Sequence, residues 1–419
     1  MAAPKTEPAV HLSARFEGSF AYKTVKDRLP VILTKVIDHL SRKASYIESS
    51  HGPTGREEVK QTIGRLSKLR NELQTNKDYV PLEDSFKDVS VWNSHLAQES
   101  LPRWFDGIWL MAECYFYRRI FESFQMTSKL KTYDYFGEQK ETALETSMLA
   151  VNALTGTLSA STVCLSQLIE VSLWGNKCDL SFTAGKPTSQ KANPISTLET
   201  LRPNILQDDT VELIEYIYSK KKLKVSFVLD NAAFELITDL VLMDYMMTHG
   251  LASQICIYVK MMPWFVSDAL GHDVSYVIDR LEQSDSASTA SLGQRCREHI
   301  ASKQWTIEER TYWTLPFDYA DMSHRDPQLY DELAHSDLII FKGDLNYRKL
   351  VGDRAWKPTT KFRISLMGFE PAPLVTLRTI KTDTVTGLAE GVAEVEEKKC
   401  AEWMVSSEFA VVEFVNPRS

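Results

Sequence analysis

The chain has 419 residues, 43% of them hydrophobic and 25% charged, which is ordinary globular usage and length enough for a large core without disulfide or metal staples. Its 48 Lys and Arg against 56 Asp and Glu leave a formal charge of −8, so no global electrostatic reason exists to bind nucleic acid or an anionic membrane. Six cysteines without a CxxC pair fit neither a disulfide scaffold nor a zinc finger. With no signal-like segment and no apolar run of membrane length, the expectation is a soluble cytoplasmic protein, with the nucleus as a second compartment. The sequence is silent on oligomeric state.

Residues 1–20 read as a loose tail. From Thr24 the pattern turns helical: Thr24 and Asp27 have capping-box spacing, and Leu29, Leu33, Val36 and Leu40 follow at steps of four, three and four. A second stripe, Val59, Ile63, Leu66, Leu69 and Leu73, starts behind the Gly52–Pro53 breaker, and the aromatic segment Ile108 to Phe124 is helix core. Residues 21–170 are therefore expected to form a helical unit. Past Trp174-Gly175-Asn176, which reads as a helix stop, residues 171–419 change texture. Lys222–Leu229, Gln254–Lys260, Leu338–Phe341 and Leu374–Ile380 are short runs with the β-branched and aromatic content of buried strands. Phe234–Met247, Val274–Leu281 and Leu329–Ala334 are helical, Gln283–Ser291 reads as an exposed loop, and Glu408–Val415 as a last strand at an edge. Alternating strands and helices predict an α/β fold with a mostly parallel sheet.

Ligands of open α/β sheets bind beyond the carboxyl ends of the strands. Three places answer to that rule: Asp230-Asn231 after the first strand, Asp268 after the second, and Gly343-Asp344 after the third, at the head of Asp344-Leu345-Asn346-Tyr347-Arg348-Lys349. Two carboxylates and an amide oxygen suit a hard cation such as Mg²⁺ or Mn²⁺, while Arg348 and Lys349 or Lys381 offer charge to phosphate oxygens. The plainer alternatives are a helix cap at Asp230 and an ordinary loop acid at Asp268. No GxGxxG or GxxxxGK[ST] follows a strand, no HExxH occurs, and Asp230-Asn231-Ala232 lacks the second Asp of a DxD phosphatase motif.

Phe227 to Glu235 (FVLDNAAFE), Trp264 to Asp268 (WFVSD), Lys342 to Arg348 (KGDLNYR) and Arg378 to Lys381 (RTIK), with Trp174 to Ser181 (WGNKCDLS) and Lys26 to Pro30 (KDRLP), resemble the damage-control phosphatase family. That family is also catalogued as domain of unknown function 89. The similarity spans almost the whole chain and is strongest to the sugar-phosphate branch, whose animal members are also called acidic-residue methyltransferases. The resemblance implies a Rossmannoid three-layer α/β/α domain behind a helical N-terminal domain. It places metal ligands at Asp230, Asn231 and Asp268, and substrate contacts at Asp230, Asn231, Asp344, Leu345, Asn346, Tyr347, Arg348 and Lys381. Further family positions fall on Asn176 and Asp179. The family pattern has Gly where this chain has Ala233, which lowers activity if the backbone there must approach closely.

The implied reaction is hydrolysis of small sugar-phosphate monoesters, fructose 1-phosphate and fructose 6-phosphate foremost, with Mn²⁺, Mg²⁺, Co²⁺ or Ni²⁺ as cofactor. The alternative is S-adenosylmethionine-dependent methylation of protein glutamate carboxyls, in which Glu235 and Asp268 would touch the cofactor. A non-catalytic binding module that keeps a metal pocket is a third reading.

Overall fold

The aliphatic stripe that begins at Leu29 becomes α1 (Leu29–Gln74) in the computed structural model, which describes residues 9–98, 102–160, 163–175 and 194–417. Gly52, at φ 69° and ψ −169°, breaks α1 into two arms where the Gly-Pro pair predicts a stop. Helices α2 (Val89–Gln98) and α3 (Trp109–Gln125) follow, and the aromatic stripe of α3 is core: Trp109, Tyr115, Phe116 and Phe124 are buried. Then come α4 (Gly137–Ala160), α5 (Leu165–Leu173), α6 (Pro194–Leu201) and α7 (Thr210–Ser219), with strand β1 (Ile205–Asp208) between the last two.

The remaining strands are β2 (Leu223–Val228), β3 (Ala252–Val259), β4 (Trp305–Glu309), β5 (Leu338–Lys342), β6 (Leu374–Thr379) and β7 (Ala410–Val415). Between them run α8 (Ala233–Thr248), α9 (Gly271–Glu282), α10 (Ala287–Ala301), α11 (Pro327–Ala334) and α12 (Gly343–Leu350). All seven strands join one sheet in the order β1-β7-β6-β5-β2-β3-β4. The five from β6 to β4 are parallel, β7 runs antiparallel to β6, and β1 runs parallel to β7.

Side-chain alternation along the strands splits the interior in two. Ile339, Phe341 and Val411 face a core shared with α1, α2 and α3. Leu338, Ile340, Phe227 and Val412 face the other, with α4, α5, α8, α9 and α10. The result is a three-layer α/β/α arrangement to which the region 21–170 contributes on both faces. Among the described residues no helix is long and apolar enough to cross a membrane.

Three local expectations need correction. β1 and β4 escape a sequence reading because they are the two edge strands, short and polar on one side. β7 is not an edge strand, because β1 covers it. The Ser-rich stretch 283–291 is not simply an exposed loop: α10 begins at Ala287, and buried Thr289 donates to Asn152 Oδ1 at 2.7 Å and pairs with Thr155 Oγ1 at 2.8 Å. Small hydroxyl residues there let α10 pack closely on α4 while satisfying one another.

Candidate active site

From β2 the chain steps outward to β3 and β4, then returns to the other side of β2 with β5 and β6. The crevice at this topological switch opens beyond the carboxyl ends of β2 and β5, where doubly wound sheets bind their ligands. β2 delivers Asp230 there and β5 delivers Gly343.

The loops after β2 and β3 are zipped together. Asn231 and Asp268 form an antiparallel bridge, Ala232 N donates to Ser267 O at 2.8 Å, and Ala269 N donates to Asp230 O at 2.8 Å. Asn231 then distributes its side chain: Nδ2 donates to Asp230 Oδ2 and to Glu235 Oε2, both at 2.7 Å, and Oδ1 accepts from the Ser267 hydroxyl. Asp268 lies 3.2 Å from Lys260 Nζ, which also donates to Leu229 O at 2.9 Å. Glu235, in the first turn of α8, lies 3.5 Å from Lys342 Nζ. The Lys342 ammonium is fully buried and donates to Ser172 O at 2.5 Å and to Asp239 at 3.0 Å. Burial, then the charges of Glu235 and Asp268, push the Asp230 carboxyl well above its ordinary range against Lys381 and Lys260. Burial likewise raises Asp268, with Lys260 opposing. Burial takes Asp239 up to about 6, with Lys342 opposing.

Gly343 closes the opposite wall. Its φ is +81°, and a Cβ there would overlap the Asp230 carboxylate, so glycine alone lets the N-terminus of α12 approach so near. The first-turn amides of α12 have no intrahelical partners and carry the positive end of its dipole. Asp344 accepts from Arg378 Nε at 2.8 Å, Thr382 Oγ1 at 3.1 Å and the Lys381 backbone N–H at 3.2 Å. Burial alone would raise the Asp344 carboxyl, but Arg378 and Arg348 outweigh it and hold it below the usual range. Lys381, half-buried, is thereby held beside Asp230, whose carboxyl its charge stabilises.

The side chains of 345–349, expected at the rim as substrate contacts, are tied to partners within the fold. Arg348 is 2% exposed, its Nε and Nη2 on Asp353 at 2.7 and 3.0 Å, its Nη1 on Glu113 at 2.6 Å, and its guanidinium 3.9 Å from the Trp109 ring centre. Lys349 donates to the carbonyls of Trp313 and Leu315 at 3.0 and 2.6 Å, and burial pulls its ammonium down to about 8. Leu345 is core. Asn346 Nδ2 donates to Lys342 O at 2.7 Å, and Tyr347 stacks under Arg378 with its hydroxyl accepting from Thr386 N at 2.9 Å. Asn176 and Asp179 lie outside the described residues. Gly175, just before them, is pressed on α8, where a Cβ would stand 3.0 Å from Glu235 Cα.

Lys260 and Lys342 were missed in the sequence, although each carried a signal: a lysine closing an otherwise apolar strand, QICIYVK and LIIFK. The strand end buries its ammonium among the acids. For a divalent cation the donor set is oxygen-rich, and among the described residues buried Asp268 Oδ2 has no hydrogen-bond donor beyond its ion pair with Lys260. Asp230, Asn231 and Asp268 therefore fit such an ion chemically. A separate trio, Asp134, His272 and Asp273, brings its ligand atoms within 4.8 Å of one another, but Lys140 Nζ stands 2.7 Å from Asp134 and 2.5 Å from Asp273, so an ammonium already fills the cationic role. A cavity of about 380 Å³ along Lys224, Ser226, Gln254 and Cys256 shares no lining residue with these groups.

Residues 24–395 match the damage-control phosphatase ARMT1-like domain. Mouse damage-control phosphatase ARMT1 is 42% identical, with 98% of this chain and 99% of that protein aligned. The zebrafish protein of the same name is 41% identical, covering 98% of both chains, and the human one is 40% identical over 97% of this chain and 98% of its own. A DUF89 family protein of known crystal structure from Pyrococcus horikoshii is 14% identical, with a TM-score of 0.46 over 91% of this chain and 97% of that one.

Proposed function

The chain belongs to the damage-control phosphatase ARMT1-like domain family, and from that premise we propose that it is a metal-dependent phosphatase of small sugar-phosphate monoesters, fructose 1-phosphate and fructose 6-phosphate foremost. One observation carries the reading: a buried carboxylate, Asp230, faces the glycine-opened N-terminus of α12 across the switch crevice. An acid that gathers a cation and a helix end that receives an anion meet there, as a phosphate ester bound through a metal requires.

Asp230, Asn231 and Asp268 would hold the cation (Mn²⁺, Mg²⁺, Co²⁺ or Ni²⁺), which when bound supplies Lewis-acid chemistry at a phosphoryl oxygen. The chain's own groups do the rest. The first-turn N–H groups of α12 donate to phosphate oxygens, and Lys381 brings its ammonium to the same side. Asp344 fixes that lysine through its backbone N–H and is itself clamped by Arg378. Asn231 Nδ2 bridges Asp230 and Glu235, so neither carboxylate swings into the position of the ester. Lys342 and Lys260 offset the buried acid charge from behind. Glu235, which methyl transfer would assign to S-adenosylmethionine, is committed to Asn231. The test is phosphate release from a panel of sugar phosphates with each divalent ion and with chelator. Metal-dependent release is expected, and full turnover after exhaustive chelation would overturn the reading.

A further inference from the structure

The first turn of α4 stands beside the two zipped loops, and between them lies a cavity of about 220 Å³. Asn231 and Ser267 line it from the loops, Gln139 and Lys140 from α4, and Ala233 and Val266 contribute to its apolar lining. Pockets for drug-sized ligands run from roughly 300 to 1,000 Å³, so an occupant here is small. Sharing Asn231 with the metal-ligand set, the cavity adjoins the place where the phosphate must sit.

The lining is chemically mixed in the manner that polyols require. Gln139 is exposed, and its amide, two donors and an acceptor, has no hydrogen-bond partner among the described residues. Lys140 is 5% exposed, with two of its three N–H groups spent on Asp134 and Asp273 and one remaining. The wall is also strained. Ala233 has φ +58° and Val266 φ +75°, both in the left-handed region that favours glycine, and a β-branched residue there is an outlier. Such strain concentrates at ligand clamps and active sites, and two instances line this one small cavity.

We propose that this cavity is the subsite for the alcohol portion of the phosphate ester, a small polyol, and that Gln139 reads its hydroxyl groups. The proposal rests on the phosphatase reading above. Gln139→Leu keeps size and removes the amide, and the exposed position makes folding indifferent to it; Gln139→Ala serves as the second variant. The measurement is kcat/KM with Mn²⁺ for fructose 6-phosphate and for p-nitrophenyl phosphate, whose aryl body offers no aliphatic hydroxyls. The ratio of the two should fall about tenfold in both variants, the value of one hydrogen bond to a hydroxyl. An unchanged ratio, or equal losses on both esters, would overturn the subsite while leaving hydrolysis in place. No hydrolysis of either ester by the unaltered protein would overturn the phosphatase reading and the subsite with it.

Discussion

Replacing Ala233 with glycine should cost almost nothing, in contrast to the same change elsewhere in a helix. Ala233 opens α8 at φ +58°, and an L-residue in that region carries roughly 1–2 kcal/mol of strain that glycine does not. Against this stands about 0.5–1 kcal/mol for the freer glycine backbone in the unfolded chain. The methyl lines a cavity, so its loss forfeits less than the roughly 0.8 kcal/mol of a fully buried CH₂. At mid-range values these terms cancel to within about 0.5 kcal/mol. At Ala153, inside α4, the same substitution should cost about 1 kcal/mol. Urea titrations of both variants, extrapolated linearly, make the comparison, and Ala233→Val should be worse than either because of its branching at a positive φ. A loss above about 1 kcal/mol for Ala233→Gly would refute the reasoning, because it would mean that the methyl's packing outweighs the backbone strain.

Gly343→Ala should reduce kcat at least a hundredfold, since the added carbon drives α12 off Asp230 and removes aligned donors; near-normal turnover would show that the helix end takes no part. Arg348→Met should destabilise the fold by about 3–5 kcal/mol by stranding buried Asp353 and Glu113, and Arg348→Lys should rescue little of it. Unfolding curves unchanged in both, with kcat alone reduced, would instead make Arg348 a substrate contact. Asp134 sits at about 2: burial would raise it, but His272 and Lys140 bring it down. Its folded value is below the unfolded one, so it contributes about 2 kcal/mol above pH 4 that is lost as pH falls toward 2. Asp134→Asn should flatten the acid limb over that interval, and parallel limbs in the two proteins would contradict the assignment.

The central strands were legible because parallel strands buried on both faces read as continuous apolar runs, as VSFV and LIIF do. The carboxylates at their ends were legible because the chain must turn there. What the residues alone did not reveal was which face of α12 meets the rest of the molecule. Arg348 finds Glu113, 235 positions away, and no local pattern announces a partner at that distance. Lys260 and Lys342 were hidden for a related reason: a lysine closing a strand reads as solvent-facing until the acids of α8 and the β3 loop surround it. Strain at Ala233 and Val266 is a backbone property with no signature in composition.

β7 occupies an interior slot, between β6 and β1, although it comes last in chain order among the seven described strands. β1 ends at Asp208 and its partner begins at Ala410, some 200 residues later, an interval of about 10–40 s at ordinary synthesis rates of roughly 5–20 residues per second. Throughout that time β1 has no strand to pair with, and β6, once formed, presents an open edge. Until Ala410 has been made, a chain of this topology therefore leaves two strand margins unpaired. Any ribosomal stall or premature stop before residue 410 would release a protein with its Asp230 crevice already encoded but its sheet split at the β6 margin, and exposed to aggregation there.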